Sequence, residues 1–129
     1  MKKKNKKNFV IFINEISSKR KYFFEKKIKE NFDKKKISSI LINGDDLRKI
    51  FELNKFDKKN RLNYAYSYAL LCKKISNQGI NVIIGTIAMF HKIRNWNRKN
   101  INNYYEVYIK TSYDLIKKRN KKKLYLGKI

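Results

Sequence analysis

The sequence has no proline, four glycines and one cysteine, and its 10 acidic residues face 34 lysines and arginines. The lone Cys72 excludes an internal disulfide, and no CxxC or Cys/His spacing exists for a zinc site, so a reducing cytoplasm is the expected setting. Long hydrophobic runs are missing too. No stretch approaches the ~20 apolar residues a membrane helix requires. The run that follows the basic tail at 1–8, Phe9 to Ile13, is five residues long, too short for a signal-peptide core. At 129 residues the chain has room for one domain, 1–129, and one core.

What remains is basic and still foldable. The formal charge is +24, yet 42% of residues are apolar and 14% aromatic, enough to bury a core. Lysine supplies 28 of the basic residues, and Lys, Asn and Ile fill 62 of 129 positions; all three have AT-rich codons, so codon bias accounts for much of the charge. The alternative is a polyanionic partner attracted by lysine clusters. Only six arginines are available for bidentate base contacts, which argues against sequence-specific DNA recognition.

Apolar patterning predicts alternating strands and helices. Phe9–Ile13 reads as a strand buried on both faces, and Ser18–Phe32 as a helix capped by Ser17 or Ser18, with Tyr22, Phe23, Phe24, Ile28 and Phe32 at helical spacing. Ile37–Ile42 is a second strand, and Asn43-Gly44-Asp45-Asp46 turns into a short helix bearing Leu47, Ile50, Phe51 and Leu53. Asp57–Gln78 is the longest helix, with a face of Leu62, Ala65, Tyr66, Ala69, Leu70, Lys73 and Ile75 and Gly79 as its C-cap. Ile80–Thr86 is the clearest strand; a helix at 90–100, a strand at Tyr104–Ile109 and a helix at Ser112–Arg119 complete the chain. The alternation predicts an α/β fold, a parallel sheet with helices on both faces, whose ligands bind at the carboxyl ends of the strands.

Asn43-Gly44-Asp45-Asp46-Leu47-Arg48 and Phe56-Asp57-Lys58-Lys59-Asn60-Arg61 head a series of motifs by which the chain, from Leu41 to Tyr125, resembles the adenylylsulfate kinases. The first is similar to their Asp-Gly-Asp-Asn-x-Arg signature and the second to their Gly-Phe-Ser-x-x-Asp-Arg stretch. Gln78–Ile83 fits the entry to the third strand, and Thr86–Trp96 the Ser-Phe-Ile-Ser-Pro-Phe-type motif with its following arginine. Tyr105-Glu106-Val107-Tyr108 is similar to the Phe-x-Glu-Val-Phe strand, and Arg119–Tyr125 to the Arg-Asp-Pro-Lys-Gly-Leu-Tyr lid, which places a lid remnant over 119–129.

The resemblance implies a P-loop, three-layer nucleotide-kinase fold, with ATP and Mg²⁺ as cofactors. It implies phosphoryl transfer to the ribose 3′-hydroxyl of adenosine phosphosulfate or a related nucleotide-linked acid, in sulfate assimilation or surface-polysaccharide modification. Asp45 would orient or deprotonate that hydroxyl, Arg48 and Arg61 would clamp the acid, and Phe56 would stack on the base, with Ile87 and Ala88 completing the acceptor site. Ser17, Ser18, Lys19, Arg20 and Lys21 would occupy the P-loop position within 14–21, while Arg119, Lys122 and Tyr125 would belong to the lid over ATP. A homodimer is compatible with the family; a membrane partner is not expected.

Glycine poverty marks the departure. A P-loop requires Gly-x-x-x-x-Gly-Lys-Ser/Thr so that successive amides can turn onto phosphates. Here Asn14 and Lys19 replace both glycines, Arg20 the lysine and Lys21 the hydroxyl, and Glu15 adds negative charge. The first signature Asp is Asn43, the serine and proline of the third-strand motif are Ala88 and Met89, the lid Asp is Asn120, and Ile129 precedes the segment that family members carry after the lid. Three readings therefore stand: an active phosphotransferase, a catalytically impaired pseudokinase or nucleotide-binding partner, and a basic nucleic-acid-binding module using Tyr64, Tyr66 and Tyr68.

Overall fold

The computed structural model describes residues 8–15, 23–87, 90–110 and 125–128. Five strands form one sheet: β1 (Val10–Glu15), β2 (Ser39–Asn43), β3 (Asn81–Ile87), β4 (Tyr104–Lys110) and β5 (Tyr125–Lys128), in the order β2-β3-β1-β4-β5. The first four are parallel, as the alternation predicts. β5 pairs antiparallel with β4 and falls in the stretch read as lid, for which no strand is expected. The helix expected at Ser112–Arg119 lies outside the described residues.

Helices cover both faces because the strands are apolar on both. On one face Val10, Phe12, Val82 and Ile84 pack against Leu47 of α2 (Gly44–Ile50), Ala69 and Cys72 of α3 (Lys58–Ser76) and Trp96 of α4 (His91–Asn100). On the other, Ile13, Ile83 and Ile109 meet Phe24, Ile28 and Phe32 of α1 (Phe23–Lys34). Burial pushes the Cys72 thiol up to about 12, so it behaves as a small apolar side chain. Of the face expected for α3, Ala69 and Ile75 enter the core and Tyr66 and Lys73 meet Trp96 of α4, while Leu70 is exposed; Tyr68, Leu71 and Cys72 widen the buried face.

Helix ends show how the chain manages with few glycines. Asp57 caps α3 rather than opening it: its carboxylate accepts from the Asn60 amide at 3.3 Å and the Asn60 side chain at 2.7 Å, which hold its pKa below 3.8. At the other end the C-cap is Asn77, and Gly79 (φ 92°) closes the following turn. Both α1 and α2 end in Schellman turns. Ile37 N–H bonds Phe32 O at 2.8 Å and Lys36 N–H bonds Asp33 O at 3.0 Å; Leu53 N–H bonds Arg48 O at 2.9 Å and Glu52 N–H bonds Lys49 O at 3.3 Å. The left-handed position that glycine usually fills is taken by Lys36 (φ 60°) and Glu52 (φ 55°).

Candidate functional site

β1, β2 and β3 end together. In register, Ile13 pairs with Gly85, which pairs with Asn43 on its other side, and Asn14 pairs with Thr86. The strand order sends the chain from β1 outward to β2 and then back across β1 to β4, so this edge is the crevice where ligands of such sheets bind.

α2 rises from that edge. Asn43 is its N-cap, in extended backbone, and its Oδ1 accepts from the Asp45 N–H at 2.9 Å. Asp45 is thereby one residue inside the helix and not its cap. Three residues on, Arg48 Nη2 donates to Asp45 Oδ1 at 3.0 Å, and the Arg48 guanidinium sits 5.5 Å from the centroid of the Phe56 ring. Phe56 is 63% exposed in the segment between α2 and α3. That segment is tied to α3 by Tyr64, whose hydroxyl accepts from Lys55 N–H at 3.0 Å. Asp45, Arg48, Lys49, Glu52, Leu53, Asn54 and Phe56 line one open cleft of ≈ 470 Å³. Three sequence-predicted residues, Asp45, Arg48 and Phe56, therefore come together.

Others do not join them. Arg61 lies on the exposed first turn of α3, its guanidinium 5.6 Å from the Phe90 ring centroid, and does not line the cleft. Ile87 ends β3 at the same sheet edge. Ala88, Ser17, Ser18, Lys19, Arg20, Lys21, Arg119 and Lys122 lie outside the described residues. Of the three tyrosines considered for base stacking, Tyr64 holds Lys55, Tyr66 makes an edge contact with Trp96 and Tyr68 packs on the core. The Tyr68 hydroxyl is buried without a hydrogen-bond partner among the described residues, and desolvation raises its pKa.

A glycine cradle is not what the described start of the P-loop register provides. Asn14 is 4% exposed, and its Oδ1 accepts from the Thr86 hydroxyl at 3.0 Å, so the position of the first cradle glycine carries a buried, bonded side chain.

Two carboxylate side chains are buried to which the sequence assigned no role, although Glu106 stands in the Tyr105–Tyr108 motif. Glu25 of α1 is 1% exposed; its Oε1 accepts from Asn43 Nδ2 at 3.1 Å, and a Cβ on Gly85 would fall on its carboxyl group. Its signal was its phase: Glu25, Ile28 and Phe32 share one helix face, and Gly85 interrupts a β-branched strand opposite. Glu106 of β4 takes Arg94 (3.4 Å), Arg98 (3.2 Å) and the Tyr104 hydroxyl (2.7 Å), while Asn97 donates to that hydroxyl at 3.2 Å. Burial raises the Tyr104 pKa, keeping the phenol protonated as a donor.

Comparison with known proteins agrees with the sheet and the signature. Residues 7–128 match the adenylylsulphate kinase family. The chain is 32% identical over 117 residues to a cytidine diphosphoramidate kinase of Campylobacter jejuni subsp. jejuni serotype O:2, covering 91% of this chain and 69% of that protein. The APS kinase CysC of Mycobacterium tuberculosis, solved with AMPPNP and APS, superposes with a TM-score of 0.74 at 19% identity, over 90% of this chain and 70% of the other. A sugar kinase from Janibacter sp. HTCC2649 superposes at 0.66 and 14% identity, over 90% of this chain and 68% of that one, which is likeness of fold alone. With the match spanning nearly the whole chain and its signature residues standing at the carboxyl edge of a parallel sheet, this protein belongs to the adenylylsulphate kinase family.

Proposed function

We propose that the chain is a nucleotide kinase that phosphorylates the ribose 3′-hydroxyl of a nucleotide-linked acid held in the cleft beside α2. The observation that carries this reading is the convergence of Asp45, Arg48 and Phe56 on one ≈ 470 Å³ cleft. Phosphoryl transfer is largely positioning and charge neutralisation, and this cleft offers a carboxylate, a guanidinium and an exposed aromatic ring. Asp45 orients the hydroxyl and takes its proton; Arg48 holds the anionic linkage; Phe56 stacks on the base, with Arg48 behind its ring. Arg61, on the first turn of α3 outside the cleft, is assigned to the acid by the family resemblance, as are Ile87 and Ala88 to the acceptor site. The family uses ATP and Mg²⁺, and ATP is the donor in this reading, met by the cations Lys19, Arg20, Lys21, Arg119 and Lys122 with Ser17 and Ser18 in place of a glycine cradle. The named relative acts on cytidine diphosphoramidate, so that compound joins adenosine phosphosulfate as an acceptor to be tried.

A second reading rests on Asn14: with its side chain bonded to Thr86 in the cradle position, the chain binds the acceptor nucleotide without transferring phosphate. The two readings separate in one series. Calorimetry with each acceptor, then a 3′-phosphorylation assay with ATP and Mg²⁺, gives binding and turnover for a kinase and binding alone for the impaired protein. Binding of neither acceptor rejects both.

A further inference from the structure

Glu25 and Asn43 meet between α1 and the sheet, one step from the candidate acceptor site. We propose that Glu25 is a positioning residue for Asp45, acting through Asn43, and that a carboxylate at 25 and a carboxamide at 43 form one directional unit. Glu25 is 1% exposed and sits over Gly85, the one place on β3 where a missing side chain leaves room for a carboxyl group. A carboxamide has a donating and an accepting end. Asn43 turns its donating end to Glu25 Oε1 (3.1 Å), which leaves its accepting end for the Asp45 N–H (2.9 Å). The acid on α1 thus fixes the rotation of Asn43, and Asn43 fixes the first turn of α2, from which Asp45 reaches Arg48 at 3.0 Å.

This explains why residue 43 is Asn where the signature has Asp. An aspartate would set two carboxylates against each other in a buried site, where like charges are strongly disfavoured. Exchanging the groups, with the carboxamide at 25 and the carboxylate at 43, restores one donor facing one acceptor and still leaves a carboxylate oxygen for the Asp45 amide. The relay rests on the two hydrogen bonds of Asn43; its effect on catalysis rests on the role proposed above for Asp45.

The test uses the full chain with four variants: Glu25→Ala, Glu25→Gln, Asn43→Asp and the exchange Glu25→Gln/Asn43→Asp. Hydrogen exchange of the Asp45 amide, followed by NMR under native conditions, reads the relay without requiring activity. Glu25→Ala and Asn43→Asp are expected to speed that exchange by roughly 10-fold, the worth of a capping hydrogen bond, while the Asn60 amide, capped by Asp57 on α3, keeps its rate. Glu25→Gln retains an acceptor for Asn43 and holds the Asp45 rate near wild type. The exchanged pair recovers most of the protection that Asn43→Asp loses. In the phosphorylation assay Asn43→Asp lowers kcat more than it raises the acceptor KM, and the exchanged pair recovers kcat. Unchanged Asp45 exchange in Asn43→Asp, or an exchanged pair no better protected than Asn43→Asp, overturns the proposal, and these two variants decide it if Glu25→Ala does not fold. If the protection pattern appears but wild type transfers no phosphate, the relay stands and the kinase reading falls. Turnover in wild type without the protection pattern does the reverse.

Discussion

Asp45 and Glu106 are both carboxylates paired with arginine, and they occupy opposite situations. The Glu106 side chain is 3% exposed, and its two oxygens are taken up by Arg94, Arg98 and Tyr104, so the carboxylate is sealed into the join between α4 and β4. The Asp45 side chain is 27% exposed, meets Arg48 at the wall of an open cleft and shares that cleft with Phe56. Both motifs belong to the family pattern. The structure separates them by exposure: a carboxylate buried among its partners holds elements together, whereas one on the wall of an open cleft is placed to meet a ligand.

The largest effect that can sharpen this contrast is on turnover. Asp45→Ala is expected to lower 3′-phosphorylation by roughly 10²- to 10⁴-fold, the usual span for a lost general base. Its urea-unfolding stability should change by less than about 0.5 kcal/mol, because a partly exposed i,i+3 pair is worth little. Glu106→Ala should do the opposite. Removing it strands Tyr104 and two guanidiniums, at about 2–4 kcal/mol, below the full cost of breaking a buried pair because Arg94 and Arg98 are partly exposed. Acceptor affinity per folded molecule should survive; its loss at unchanged stability would break the contrast.

Smaller effects probe the helix ends that frame the cleft. Hydrogen bonds from Asn60 lower the Asp57 pKa in the folded chain, so the stability this cap supplies is present above the unfolded value of 3.8 and is lost as pH falls through the lower folded value. Acid unfolding followed below pH 4 should therefore be shallower in Asp57→Asn, which keeps a capping oxygen that does not titrate. The smallest change expected is a gain. Lys36→Gly relieves a left-handed lysine at the end of α1 and should raise the urea midpoint by the equivalent of about 0.5–1 kcal/mol.

Much of the fold was legible because burial on both faces writes β-branched runs: the four parallel strands appear in the sequence at Phe9, Ile37, Ile80 and Tyr104 to within two residues of their observed starts. The α3 face was legible except at Leu70, and Tyr68, Leu71 and Cys72 were missed because a helix packed on both the sheet and α4 buries a wider arc than one apolar stripe shows. β5 follows a lysine tract, and a four-residue strand has no periodicity of its own. Asp45, Arg48 and Phe56 could be named in advance from the signature. Their shared cleft could not, because it depends on the turn at Glu52 and on Tyr64 holding Lys55. Glu25 was hidden in plain composition: among lysines and glutamates it looks solvated, and only its phase with Ile28 and Phe32, opposite Gly85, marks it as buried.

The claim that the cleft beside α2 receives a nucleotide-linked acid is tested most directly by calorimetric titration of wild type, Arg48→Ala and Phe56→Ala with adenosine phosphosulfate and cytidine diphosphoramidate. Saturable binding of one of them by wild type is expected, weakened roughly 10-fold or more by each substitution, as loss of a charged hydrogen bond or a stacked base requires. No saturable binding of either compound, or binding that neither substitution weakens, would contradict it.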